Sequence, residues 1–78
     1  MPHVIVKMWP GPSEQQKCRL AEQITRDVVT LLDSADASVS VAIEEVKPGG
    51  WLDKVYRLEI EPRMELLYKK PGYGPEDL

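Results

Sequence analysis

The sequence has 78 residues, of which ten are basic and thirteen are acidic, giving a formal net charge of -3. A chain this short forms one small domain with little buried surface, so we predict a single domain over residues 1–78 that self-association stabilises. The scattered charges include no basic run, which argues against nucleic acid as a partner. One cysteine excludes an intrachain disulfide, and one cysteine with one histidine leaves too few ligands for a metal site such as zinc.

The N-terminus does not resemble a targeting segment. No positively charged stretch precedes a long apolar run, and the VIV tripeptide is too short for the core of a signal peptide. No stretch approaches the roughly 18 apolar residues of a membrane helix. We therefore expect a soluble cytoplasmic protein without membrane contact, in a compartment where the unpaired thiol of Cys18 is tolerated.

The first predicted element is a strand over residues 3–9, HVIVKMW, whose two faces both carry apolar side chains. A strand of this kind is expected to be covered on both sides. After the PGP turn, Ser13 and Gln16 have the spacing of a capping box, which predicts a helix that runs to about Asp33. Its apolar stripe is expected to consist of Leu20, Ala21, Ile24, Val28, Leu31 and Leu32.

The second predicted strand is SVSVAIEEV, residues 38–46, in which apolar and small polar residues alternate. Strand, helix and strand together predict a βαβ unit with parallel strands. The KPGG segment is interpreted as a turn, followed by a helix with Leu52, Val55 and Leu58 on one side. Pro62 should interrupt this helix, and MELLYKK, residues 64–70, is predicted to continue it.

These elements place the chain in the α/β (α+β) class, as a βαβ protomer with a C-terminal helix. Two strands alone form a marginal sheet with open edges. We therefore predict that a second copy completes the sheet in a homodimer, whose symmetry makes the contact self-complementary.

The order of these features over the whole chain resembles the 4-oxalocrotonate tautomerase family. The resemblance rests on the Met-Pro start into a strand, the capped helix, the V-x-V-x-I strand and the KPGG turn followed by an aromatic residue. The last third, EIEPRMELLYKKPGYG, resembles the bacterial branch that acts on phenylenolpyruvate-type enols. The resemblance implies a β-α-β protomer assembled as dimers or as trimers of dimers, and a cofactor-independent tautomerase acting on a small 2-oxo acid.

Pro2 is the catalytic residue that the resemblance implies. Removal of Met1, expected before a residue as compact as proline, would expose a secondary amine that could act as a base. An α-amino group titrates at roughly 8, and burial would lower its pKa towards the value that suits a general acid-base catalyst. The alternative is structural, because a proline is also tolerated at the first position of a strand.

Three further residues are candidates for binding the substrate. Trp51 matches the aromatic residue that walls the family's pocket, and Ser40 occupies a position where well-known members carry an arginine. Trp9, at the end of the first strand, could line the pocket or serve packing alone. His3 is interpreted as structural, Cys18 as a partly buried hydrophobe, and Tyr73 as a contact that docks the C-terminal tail onto the dimer or lids the pocket.

The family's two substrate-binding arginines are missing, because Pro12 and Ser40 stand in their places. This leaves backbone N–H groups, Ser40, Lys7 and an Arg57 from a neighbouring subunit as candidate donors. It also leaves two alternative functions. One is a non-catalytic dimeric ligand-binding module on the same fold, and the other is a hydratase or dehalogenase of unsaturated acids.

Overall fold

A computed structural model describes all 78 residues, which divide into two compact units at residues 1–45 and 46–78. The first unit contains strand β1 (His3–Met8), helix α1 (Glu14–Leu32) and strand β2 (Ser40–Glu45). The strands pair in parallel, with His3 opposite Ser40 and Met8 opposite Glu45. The predicted βαβ unit with parallel strands is therefore confirmed. Both strands are shorter than predicted, since β1 ends at Met8 and β2 ends at Glu45. The later start of β2 follows from a short 3-10 turn at residues 36–38 that precedes it.

Helix α1 begins at the predicted capping box. The Ser13 hydroxyl accepts a hydrogen bond from the Gln16 backbone N–H at 3.1 Å, and the Gln16 side chain accepts one from the Ser13 N–H at 2.8 Å. These two bonds satisfy backbone donors that a helix start otherwise leaves without partners. The helix ends at Asp33, whose left-handed conformation (φ 53°) stops further helical pairing.

Helix α1 covers only one face of the two-stranded sheet. A groove between α1 and β2 is lined by Glu14, Lys17, Cys18, Ala21, Val41 and Ile43. Side chains alternate along a strand, so the opposite face carries His3, Ile5 and Lys7 from β1 and Ser40, Ala42 and Glu44 from β2. We call these six residues the open face. Ile5 is 51 % exposed there, so coverage on both sides is not achieved within one chain.

The apolar stripe of α1 is narrower than predicted. The half-buried residues of the helix are Lys17, Ala21, Ile24, Thr25, Val28 and Val29. Leu20, Leu31 and Leu32 are exposed, and so is Cys18, which we had expected to be partly buried. No residue of the first unit is fully buried, so the hydrophobic effect contributes less here than in an ordinary core.

Lys17 connects α1 to β2 through two carboxylates. Its ammonium lies 2.8 Å from Glu14 and 3.2 Å from Glu45, and its side chain is only 16 % exposed. The hydrogen bonds to Glu14 and then to Glu45 raise the pKa of Lys17 above its ordinary value of 10.5. The protonated lysine is therefore bound more favourably in the folded state than in the unfolded chain.

We expect Lys17→Met to lower the melting temperature by a few degrees at neutral pH, because the methionine keeps an apolar stem but removes both ion pairs. Since the folded pKa is raised, the stabilisation is complete below pH 10.5 and disappears as the pH rises through the higher folded value. Thermal unfolding of both proteins across this range tests the prediction. A stability difference that persists undiminished at the highest pH would contradict it.

The second unit begins with α2 (Pro48–Trp51), so the predicted KPGG turn is wrong. Pro48 is compatible with a first helical turn because its missing N–H needs no intrahelical partner there. The chain continues as a π-helix over Leu52–Ile60 and a 3-10 helix over Glu61–Leu66. The interruption at Pro62 is confirmed by a non-helical Arg63 (φ -117°, ψ 19°). Residues 67–70 are not helical, against our prediction, since 3-10 helices are short and Leu67 is extended.

The π-helix changes which side chains are buried. Its hydrogen bonds run five residues back, as in the bond from Glu61 N–H to Tyr56 O, so positions four or five apart share a side. The side of the helix that includes Val55 and Tyr56 is buried, and these two residues are 4 % and 5 % exposed. Leu58 lies off that side and is 67 % exposed. The predicted Leu52, Val55 and Leu58 stripe is wrong at Leu58. No helix of either unit is both long and apolar enough to cross a membrane.

Candidate functional site

Pro2 lies immediately before β1 and is half-buried, whereas Met1 is fully exposed. The carbonyl oxygen of Pro2 accepts a hydrogen bond from the Ser40 backbone N–H at 3.1 Å. This bond extends the parallel ladder by one position and fixes Pro2 against the start of β2.

Ser40 is held by two different contacts at the N-terminal end of the sheet. Its backbone bonds to Pro2, and its side-chain oxygen lies 2.6 Å from Nδ1 of His3. Where Nδ1 carries the proton it donates to the serine oxygen, and the serine hydroxyl is then free to donate elsewhere. The first unit thus brings Pro2, His3 and Ser40 together.

Trp9 follows the last residue of β1 and is 48 % exposed. It lies at the other end of the strand from Pro2, and seven residues of extended chain span about 20 Å. The first unit therefore does not bring Trp9 to the predicted catalytic residue.

Trp51 belongs to the second unit, where it ends α2. Its indole N–H donates a partly buried hydrogen bond to the hydroxyl of Tyr73 at 2.9 Å. The ring of Tyr73 lies 6.0 Å from that of Tyr56, at an interplanar angle of 45°. We call Trp51, Tyr56 and Tyr73 the aromatic cluster. Such tilted ring pairs contribute stability beyond the area that they bury.

The groove between α1 and β2 contains none of the four predicted site residues. Its lining combines one ion pair, between Lys17 and Glu14, with small apolar side chains. Histidine, cysteine, aspartate and glutamate side chains do not converge in groups of three or more that could hold a metal ion.

The sequence alone does not predict the contacts of two residues in these arrangements. His3 was assigned a structural role, because nothing local shows that parallel pairing places it opposite Ser40, 37 positions away. Tyr73 is predicted to dock the tail onto the dimer, which stays a prediction, and within one chain its hydroxyl accepts a hydrogen bond from Trp51. The predicted parallel pairing of the two strands gives a sequence signal for the contact between His3 and Ser40, since parallel strands pair their residues in the same order along the chain. We find no sequence signal for the second.

Comparisons with known proteins identify the family. A family profile described as a tautomerase enzyme matches residues 2–57. Tautomerase PptA of Shigella sonnei is 45 % identical over 75 residues, which cover 95 % of this chain and 99 % of the relative. The protein of the same name from Escherichia coli O157:H7 is 43 % identical over the same shares of both chains.

Solved structures lead to the same family. TomN, a 4-oxalocrotonate tautomerase homologue of the tomaymycin biosynthetic pathway, superimposes with a TM-score of 0.62 at 30 % identity, covering 64 % of this chain and 77 % of that one. YwhB, another homologue of 4-oxalocrotonate tautomerase, gives a TM-score of 0.58 at 35 % identity, covering 59 % and 75 %. The chain therefore belongs to the 4-oxalocrotonate tautomerase family and is a keto-enol tautomerase, an isomerase.

Proposed function

We propose that residues 1–78 act as one domain that interconverts the enol and keto forms of a small 2-oxo acid resembling phenylenolpyruvate. Removal of Met1 exposes the Pro2 nitrogen, which serves as the general acid-base catalyst without a cofactor. The observation that carries the proposal is the position of Pro2, half-buried beside an exposed Met1 and bonded to Ser40. The cytoplasmic location stays a prediction from the unpaired thiol of Cys18.

The reaction moves one proton between oxygen and carbon. The neutral Pro2 amine accepts the proton of the enol hydroxyl and returns a proton to the adjacent carbon, which leaves the ketone and the unprotonated amine. A group that works in both directions is most effective when its pKa is near the operating pH. Exclusion of water from around the amine would favour its neutral form and lower its pKa from about 8. The proline ring also restricts the direction of the nitrogen relative to β1.

A second copy of the chain is needed to bring Trp9 to Pro2. If the β1 strands of two copies pair edge to edge in antiparallel orientation, the start of each strand lies beside the end of the other. The partner's Trp9 then approaches Pro2 to within a residue or two along the ladder. The same pairing makes a four-stranded sheet from two marginal ones. We propose this homodimer as the active form, with a trimer of dimers as a further assembly.

Ser40 is the candidate donor to the substrate that the contacts support best. Arg57, one of the other candidates, is paired with Asp53 in its own helix at 2.9 Å. The hydroxyl of Ser40 is exposed, close to Pro2 in the fold, and oriented by His3. A donor placed beside the reacting atoms stabilises the negative charge that develops on the enolate oxygen.

We expect Ser40→Ala to lower kcat/KM by about tenfold, because one hydrogen bond to a charged oxygen contributes about 1.5 kcal/mol or more. Steady-state kinetics with phenylenolpyruvate, followed by ultraviolet absorbance, measure this effect. Ser38→Ala is the matched control, since Ser38 bonds only to the Ala35 carbonyl in its own turn among the contacts found. Equal kinetics of S40A and wild type would remove Ser40 from substrate binding.

Because arginines are missing at positions 12 and 40, the proposed substrate and the proposed role of Pro2 each need a direct measurement. Intact-mass spectrometry shows whether Met1 is removed, and the ultraviolet assay shows whether the exposed proline accelerates ketonisation of phenylenolpyruvate. A retained Met1 together with an uncatalysed rate would contradict both the proposed substrate and the role of Pro2 as its catalyst.

A further inference from the structure

We propose that Tyr73 is a positioning residue that holds the Trp51 indole in place, so that the C-terminal tail determines how tightly the enzyme binds the organic group of its substrate. This inference rests on the proposed function and on the role that the family resemblance implies for Trp51, which is to line the substrate pocket. Tyr73 itself need not touch the substrate.

The contact between the two side chains is specific. An indole N–H can only donate, and it donates to the Tyr73 oxygen at 2.9 Å across 22 residues of sequence. Both residues are half-buried, so few water molecules can replace the hydroxyl as an acceptor. A partly buried indole that loses its acceptor either rotates towards solvent, where water can accept its hydrogen bond, or stays in place at the free-energy cost of an unsatisfied donor.

Tyr73 is itself fixed from two directions. Its ring packs at 6.0 Å against Tyr56, which is only 5 % exposed and belongs to the most buried part of the chain. Directly after it, the Gly74 N–H donates to the Asp77 carboxylate at 3.0 Å, and the Asp77 N–H donates to the Gly74 carbonyl at 3.0 Å. This turn orders the backbone on the C-terminal side of Tyr73. The hydroxyl is therefore a fixed acceptor and not a mobile one.

A fixed Trp51 affects binding more than the proton transfer. The indole offers a flat apolar surface, and its contact with a substrate ring depends on both side-chain torsions of the tryptophan. The proton moves at Pro2, whose contacts lie in the first unit. Loss of the Tyr73 hydroxyl should therefore raise KM and leave kcat nearly unchanged.

The test is a double-mutant cycle between Tyr73 and Trp51. We expect Y73F to raise KM for phenylenolpyruvate about two- to tenfold, the range given by one ordinary hydrogen bond. In a W51F background, which has no indole N–H, Y73F should have no further effect. Y68F is the matched control, because Tyr68 is fully exposed, and it should match the wild type. An equal effect of Y73F in both backgrounds, or an unchanged KM, would overturn the proposal.

Fluorescence tests the same contact without any enzyme assay. The chain has two tryptophans, so in W9F selective excitation of tryptophan, at a wavelength where the three tyrosines do not absorb, reports on Trp51 alone. Adding Y73F to W9F should increase the quenching of Trp51 by acrylamide, and adding Y68F should not. Unchanged quenching would show that Tyr73 does not hold the indole. If Pro2→Ala keeps full activity, the proposed function fails while this measurement still decides the role of Tyr73.

Discussion

Replacing Pro2 with alanine is expected to lower kcat/KM for phenylenolpyruvate by about 100-fold or more, within the range that one general acid-base catalyst contributes. After removal of Met1 the variant still carries an amine, but a primary one without the ring that restricts its direction. More conformational freedom must then be lost before the nitrogen reaches the reacting proton. Steady-state kinetics on protein whose mature mass has been verified measure the loss.

Pro62→Ala is the control for this substitution, because it makes the same chemical change at an exposed proline that has no assigned role in the site. Its kinetics should match the wild type. In the wild type, kcat/KM should fall at low pH as the Pro2 amine becomes protonated. The midpoint of that acid limb should move or disappear in P2A. Wild-type activity of P2A, or an identical pH profile, would exclude Pro2 as the proton carrier.

The first unit could be predicted from sequence because its determinants are local. The Ser13 and Gln16 capping box fixes the start of α1, and alternation in residues 40–45 fixes β2. The family resemblance depends on the same local patterns and is confirmed by the profile match over residues 2–57.

The second unit was predicted less well because its helix departs from the ordinary period. Apolar spacing can be read only after a period is assumed, and we assumed the α-helical one. The π-helical turns instead bury Val55 with Tyr56 and expose Leu58. Nothing in the composition of residues 52–60 indicates hydrogen bonds that run five residues back.

Candidate residues for the site could be named from the sequence, but the contacts that they make could not. The positions of Pro2, Ser40 and Trp51 in the family pattern place them in the site, and Trp9 is a candidate from its place at the end of the first strand. The roles of all four remain predictions. The contacts of Ser40 with His3 and of Trp51 with Tyr73 join residues 37 and 22 positions apart. Such pairs depend on strand register and on the path of the tail, which short sequence windows do not encode.

Replacing Ile5 with lysine is expected to weaken self-association by about tenfold or more. Ile5 is 51 % exposed on the open face in the single chain, and the proposed edge-to-edge pairing of β1 with its copy would cover part of that exposed half in each copy. Burial of a whole isoleucine contributes about 1.5–3 kcal/mol, so half of it contributes about 0.8–1.5 kcal/mol, and two such halves correspond to about a tenfold or larger change in Kd. The new lysines also face like charges across the symmetric strand pair, since Lys7 lies on the same face. Sedimentation velocity over a range of concentrations measures the change.

Leu31→Lys is the control, because Leu31 is 78 % exposed on α1 and lies outside the sheet. It should leave association unchanged. If the partner's Trp9 completes the site, I5K should also show a specific activity that rises with protein concentration, because dissociated copies lack that residue. A variant that stays associated at low concentration would show that copies do not meet through β1. A dissociated variant with full activity would show instead that each chain holds a complete site, so that Trp9 must be removed from it.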